Sequence, residues 1–312
     1  MNPVIKWILI VLLIQAIFMI FLTTTIIYCV LLVKTSKKKW TRSCSMPEDE
    51  ECVRMYRIGE EWMEENRPCL EDVDIHNDGL HLFGQYFDFG NKKAVIIVPG
   101  RMESCIYSDY FGDTYKKIGY NVLTIDSRAH GLSEGKVNCL GYREYRDVLA
   151  WARFLHEKKG VETIVLHGIC IGASTCMFAI TDADCPDYIK AISVDGMYVN
   201  FYESCYNHMK ADKRPIFPFF YLLMVYVRIF SHANVITDGP IYRIPKLNRP
   251  ILFLHSKLDK YSLPDKAKLL YDTCTAEKEF VWFEKGGHSR VRINNVEQYD
   301  KAVSDFIGKY VS

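Results

Sequence analysis

The chain opens on an apolar run, Trp7–Val33, broken only by Gln15, Cys29 and uncharged Thr and Tyr residues. At about 27 residues it exceeds the roughly 20 that suffice to cross the hydrocarbon of a bilayer. A cleaved secretory leader has an apolar stretch of only about 7–15 residues, ending at a small-residue cleavage site. Here the run passes straight into Lys34, Lys37, Lys38, Lys39 and Arg42, a pattern that predicts a retained membrane helix. After a charged stretch with an acidic middle (Glu48–Glu51), the pattern changes. Val73–His76 and Leu80–Asp88 flank Asn77-Asp78-Gly79, a tight-turn signal that predicts a hairpin. Short β-branched runs follow at Ala94–Val98, Asn121–Ile125, Thr163–Leu166, Ala191–Val194, Ile251–Leu254 and Phe280–Phe283. Such runs suit strands buried on both faces of a parallel sheet. Helical spacing separates them near 105–118, 141–158, 172–181, 264–274 and 294–309. Within Glu144–His156, for example, Val148, Leu149, Ala152 and Leu155 form one stripe. The prediction is an α/β fold with eight strands, the first pair antiparallel and the rest connected through helices. It divides the chain into an anchor with basic flank (1–36), a linker with a short helix (37–70) and one catalytic-sized domain (71–312).

Charge adds an orientation. Only Lys6 and the terminal amine precede the apolar run, and the basic cluster follows it. Basic flanks stay on the cytoplasmic side, so the C-terminal domain is expected in the cytoplasm. Eleven cysteines, an odd number without CxxC pairs or metal-like spacing, read as reduced thiols and agree with that side. The formal net charge of +1 leaves no global footprint for nucleic acid.

The chemistry concentrates in Val165-Leu-His-Gly-Ile-Cys-Ile-Gly-Ala-Ser174. A strand runs into a sharp turn and then a helix of small residues, the context of the G-x-S-x-G nucleophile elbow, with Cys170 at the apex. Gly168 and Gly172 flank it where the strained turn leaves no room for side chains. A cysteine is often simply a buried apolar residue. At a helix N-terminus, however, the thiolate is favoured, and the Ile171 N–H points where an oxyanion would develop. A nucleophile needs a base, and the base an orienting acid. Asp259 and His288 follow Cys170 in that order, each in a loop just past a strand, where open α/β sheets place their chemistry. The second oxyanion donor is expected from the backbone of Arg101, beside Met102, in the turn after the third strand. Ser174, His130, His167 and His255 read as structural, as does the loop Asp126–Ser133, whose Asp and Arg would brace the floor of the site.

From about Asp72 to its C-terminus the chain resembles the α/β-hydrolase superfamily, in particular bacterial serine aminopeptidase-type and monoglyceride-lipase-type members. The resemblance rests on the D-x-R-x-H-G-x-S loop at Asp126–Ser133, the elbow Gly168–Gly172, the loop ending at Asp259, and Gly287-His288. It implies the α/β-hydrolase fold and cleavage of esters, amides or thioesters without a cofactor or metal. This sequence departs from the pattern at three places: Pro99 and Ser256 replace a usual His and Gly, and Cys170 replaces the serine. Dienelactone hydrolases of this fold work with Cys-His-Asp. Three readings stay open: a hydrolase passing through an acyl-cysteine, a silent binding protein that keeps the pocket, and an acyltransferase. An insertion at about 198–248 falls where the fold carries its cap. Its apolar run Pro215–Phe230 is too short and too proline-broken to span a bilayer. It fits either a packed covering helix or a lipid-facing lid, and the second would suit a small, lipid-derived acyl substrate.

Overall fold

The computed structural model describes residues 2–311. Helix α1 (Pro3–Leu32) and helix α2 (Glu50–Glu65) precede the hairpin β1 (Leu70–Asn77) and β2 (Leu80–Phe87). Strand β3 (Lys93–Val98), short helices α3 (Cys105–Asp109) and α4 (Gly112–Lys116), and strand β4 (Asn121–Ile125) come next. Then α5 (Glu144–Lys159), β5 (Thr163–Ile169), α6 (Ile171–Ile180) and β6 (Ile189–Asp195) alternate. The insertion holds α7 (Phe201–Ala211), α8 (Phe219–Phe230) and the turn α9 (Pro240–Arg243). The chain ends with β7 (Ile251–Ser256), α10 (Pro264–Thr273), β8 (Lys278–Phe283), α11 (Val291–Asn294) and α12 (Val296–Tyr310).

The eight strands form one sheet in the order β1-β2-β4-β3-β5-β6-β7-β8. Strand β2 alone runs against the rest, pairing antiparallel with both β1 and β4. The remaining pairs are parallel, and every residue of β4 and β7 is buried, as expected of strands covered on both faces. One layer of core, built around Leu166, Val148, Trp151 and Met177, lies under α5 and α6. The other, around Val165, Phe111, Tyr299 and Phe306, lies under α3, α4 and α12. Because these strands run parallel, the C-terminal ends of β3, β5, β6, β7 and β8 meet along one edge.

Two expectations change. The single helix near 105–118 is two short ones, because the chain turns at Tyr110–Phe111, where the Phe111 N–H bonds to the Ser108 carbonyl at 2.9 Å. The turn lets Gly112 slide under the Trp62 ring of α2, where an added Cβ would come within 2.4 Å of it. The stretch expected as a linker packs onto the domain. Cys52, Met55, Tyr56 and Trp62 of α2 are buried in the core, and Trp40 stacks on His130 with ring centroids 4.5 Å apart.

Helix α1 is long and apolar enough to cross a membrane by length and composition. Its last turns are built into the domain. Thr24, Tyr28 and Leu32, spaced four apart, are its buried residues. Its final carbonyls all find donors: Lys39 Nζ bonds to those of Cys29, Val30 and Val33, Arg101 Nη1 to that of Leu31, and the Asn138 N–H to that of Leu32. Helix ends leave such carbonyls orphaned, and cations suit the negative end of the dipole.

Candidate active site

Cys170 sits between β5 and α6 with φ 55° and ψ −113°, a positive-φ backbone conformation rarely held by a residue with a side chain. The surroundings enforce it. An added Cβ on Gly172 would stand 2.0 Å from the Val98 carbonyl oxygen, and one on Gly168 would stand 2.4 Å from that of Gly172. The end of β5 is therefore pressed against the first turn of α6, and α6 against the end of β3. The Cys170 N–H donates to the Asp195 carbonyl at 2.9 Å, tying the elbow to the end of β6. Cys170 is the N-cap residue of α6, so the helix dipole presents its positive end there.

Asp259 and His288 meet. His288 Nδ1 and Asp259 Oδ2 are 2.7 Å apart, and the other carboxylate oxygen accepts the N–H groups of Tyr261 and Ser262, both at 2.8 Å. Burial pushes the Asp259 carboxyl up, but the charges of His288 and His255 and these hydrogen bonds outweigh it, so it is held low and ionised. For His288 burial works against the charged ring. The Asp259 carboxylate, with Cys170 as the next contributor, holds its pKa well above the ordinary range. The His288 ring rests on Gly196, where a Cβ would stand 3.3 Å from it. Its other nitrogen, Nε2, is buried and has no geometric hydrogen-bond partner among the described residues.

Cys170 and His288 line one cavity of about 380 Å³, with Arg101, Phe201 and Met209 around it and Leu31 and Leu32 of α1 on its wall. Arg101 and Ile171 line the same cavity as the cysteine. The Met102 N–H is taken by His130 Nε2 at 3.3 Å, whereas the backbone N–H groups of Arg101 and Ile171 have no acceptor among the described residues. Ser256 does local work: its Oγ donates to the Gly286 carbonyl and accepts the Leu258 N–H, linking the Asp259 loop to the His288 loop.

The three histidines that the sequence reads as structural are occupied. His130 Nδ1 faces the Arg128 carbonyl at 3.0 Å, and burial pushes its pKa down to about 4. Asp126 takes the Cys105 and Leu132 N–H groups, and Arg128 makes a two-pronged pair with Asp147, so the loop 126–133 braces the floor. His255 Nε2 lies 2.8 Å from the Ser262 carbonyl oxygen. Ser174 is fully buried in α6. His167 is pushed down to about 3 by burial and sits between two tyrosines, Tyr115 at Nδ1 (2.7 Å) and Tyr299 at Nε2 (3.1 Å).

That chain reaches a residue the sequence did not announce. Tyr299 donates to Asp195 Oδ2 at 3.0 Å, and burial pushes this carboxyl up to about 7. Asp195 ends β6 beside Gly196, directly under the His288–Asp259 pair. The signal for it was its place at the end of a buried strand, the same kind of place that marked Asp259.

Comparison with known proteins agrees with this architecture. The α/β hydrolase fold family model matches residues 93–214. The Bacillus subtilis (strain 168) protein YqkD is 26% identical over 217 residues, covering 69% of this chain and 71% of its own. The esterase Pf2001 of Pyrococcus furiosus superposes with a TM-score of 0.63 at 22% identity, over 78% of this chain and 93% of that one. Pyrococcus horikoshii acylaminoacyl peptidase gives 0.58 at 19% identity, over 78% of this chain and 41% of that larger one. The eight-stranded sheet, the strand-turn-helix elbow and these likenesses together show that the chain has the α/β-hydrolase fold.

Proposed function

We propose that the protein is a membrane-anchored hydrolase that cleaves carboxylic esters or thioesters through an acyl-cysteine. One observation carries the reading: His288 is held by Asp259 at 2.7 Å and lines the same cavity as Cys170, which stands at the strained apex of the elbow. The Cys170 thiolate attacks the acyl carbon, and the oxyanion that forms is met by the N–H groups of Arg101 and Ile171. As the carbon–oxygen or carbon–sulfur bond breaks, the His288 imidazolium gives its Nε2 proton to the leaving group. Water then attacks the thioester, the neutral His288 takes its proton, and collapse returns the thiolate and the carboxylic acid. Asp259 fixes the tautomer throughout. The basic flank Lys34–Arg42 and the eleven free cysteines support placing the domain on the cytoplasmic face.

The test is turnover by the full chain in detergent or nanodiscs, under reducing conditions, against aryl esters and acyl thioesters of varied length. Turnover and a covalent acyl adduct by mass spectrometry, both absent from Cys170→Ala, are expected. No turnover and no adduct would overturn the reading and favour a silent binding protein. Transfer of the acyl group to an added alcohol or amine, in place of release to water, would make it an acyltransferase.

A further inference from the structure

Helix α8 is apolar apart from Arg228, which is exposed in its last turn. Phe220, Leu223, Met224 and Val227 are buried against the domain. On the outer side Tyr221, Val225 and Ile229, four residues apart, and Phe230 are each 49–55% exposed, and Phe217 just before the helix is 80% exposed. An outer side whose one charge is Arg228, at the end of the helix, belongs against something apolar, so this stripe lacks its partner.

The neighbouring helix identifies that partner. Helix α8 packs on the end of α1: Tyr28 lies against Tyr226 and Phe230, its hydroxyl is 3.0 Å from Ser231 Oγ, and Thr25 Oγ1 is 3.2 Å from the Tyr226 hydroxyl. Helix α1 has 30 residues, about 45 Å at ~1.5 Å per residue, against a hydrocarbon core of about 30 Å. About 20 residues counted from Trp7, the first after Lys6, end near Ile26. Its buried positions begin at Thr24. The contacts with α8 thus fall where the hydrocarbon gives way to headgroups, the level at which aromatic residues gather and exposed Lys37 and Lys38 would meet anionic lipid.

We propose that α8 lies in the membrane interface beside α1, its Tyr221-Val225-Ile229 stripe turned into the leaflet, so that the cavity draws a membrane-resident acyl lipid from the bilayer. The cavity is placed for this, since its wall includes Leu31 and Leu32 of α1 and Phe201 and Met209 of α7. The choice of substrate rests on the hydrolase reading above; the docking of α8 does not.

The experiment uses the full chain in nanodiscs at one copy per disc. Val225→Trp and Ile229→Trp are compared with Leu269→Trp on α10, with lipids brominated along their acyl chains as quenchers and the parent's fluorescence subtracted. The added fluorescence at 225 and 229 is expected to be quenched at least twofold, and that at 269 left unchanged. In parallel, Val225→Asp/Ile229→Asp is expected to lower turnover of a long-chain ester held in vesicles at least tenfold. Hydrolysis of a soluble acetate ester should stay within about twofold, with circular dichroism unchanged. Unquenched tryptophans overturn the proposal, as does a stripe protected only when two chains share a disc, which would make its partner a second copy. Equal loss on both esters overturns the delivery role. If the parent cleaves neither ester, the hydrolase reading fails while the quenching arm still decides the docking.

Discussion

Arg101 Nη1 donates to the Leu31 carbonyl across 3.2 Å, so the loop that follows β3 and the last turn of α1 share a hydrogen bond at the wall of the cavity. With Lys39 serving three more carbonyls, two cations hold the end of α1. Hydrogen bonds to charged donors contribute about 1.5–3 kcal/mol each. Arg101→Met and Lys39→Met should therefore loosen the joint, read as several-fold faster tryptic cleavage between Lys34 and Arg42. Unchanged cleavage in both variants would mean that apolar packing by Leu32 and Tyr28 alone holds the helix.

Asp259→Asn should move the titration of His288. A ring whose folded pKa is raised contributes stability that is complete below the ordinary imidazole range, about 6.5, and lost as pH rises through the raised value. Burial opposes the charge, and Asp259 is the largest contributor in its favour. Without the carboxylate the midpoint falls, and turnover should drop about 10³–10⁴-fold as the tautomer is lost. NMR titration of the ring carbons, assigned with His288→Gln, reads the first effect. A midpoint that stays in place would mean that Asp259 is not the group that sets it.

The elbow allows no added carbon. Gly172→Ala places a methyl 2.0 Å from a backbone oxygen that no rotamer can move, so β3 and α6 must part. A loss of about 3 kcal/mol or more is expected, seen as a lower apparent Tm in detergent. Gly287→Ala, with nothing within 4 Å of its Cβ position, is the matched control and should change little.

Arg128 and Asp147 form a buried ion pair, each 4% exposed, which Asp78 joins from the surface. Arg128→Met strands a carboxylate out of water and should cost about 3–5 kcal/mol. Adding Asp147→Leu should recover part of that loss, and no recovery would place the energy in Asp78 and the loop instead.

The sheet and elbow were legible because their signals are local. The β-branched runs mark strands wherever they fall, and Gly168-Ile-Cys-Ile-Gly172 carries its strained turn within five residues. Asp259 and His288 were legible because each follows a strand whose end must lie on the same edge. The break at Tyr110–Phe111 was not, because its cause is Trp62, some fifty positions away and read at first as part of a linker. Asp195 escaped for a related reason: its partner Tyr299 lies on α12, and no spacing links a tyrosine near the C-terminus to an aspartate ending β6. The docking of Trp40 on His130 and of α1 on α8 likewise pairs segments far apart in sequence, where each side alone reads only as apolar.

The satisfied carbonyls at the end of α1 have a mechanical meaning. A membrane protein on a slack tether can turn its domain freely, whatever the angle of its anchor. Here rod and domain are one piece, so any tilt of α1 in a bilayer would be a tilt of the cavity mouth relative to the lipid surface. Helices answer a thinner bilayer by leaning over. With α1 in a bilayer as proposed, membrane thickness would become a steering variable for this protein, pressing the aromatic flank of the cap into the leaflet or lifting it clear without any change in the fold itself.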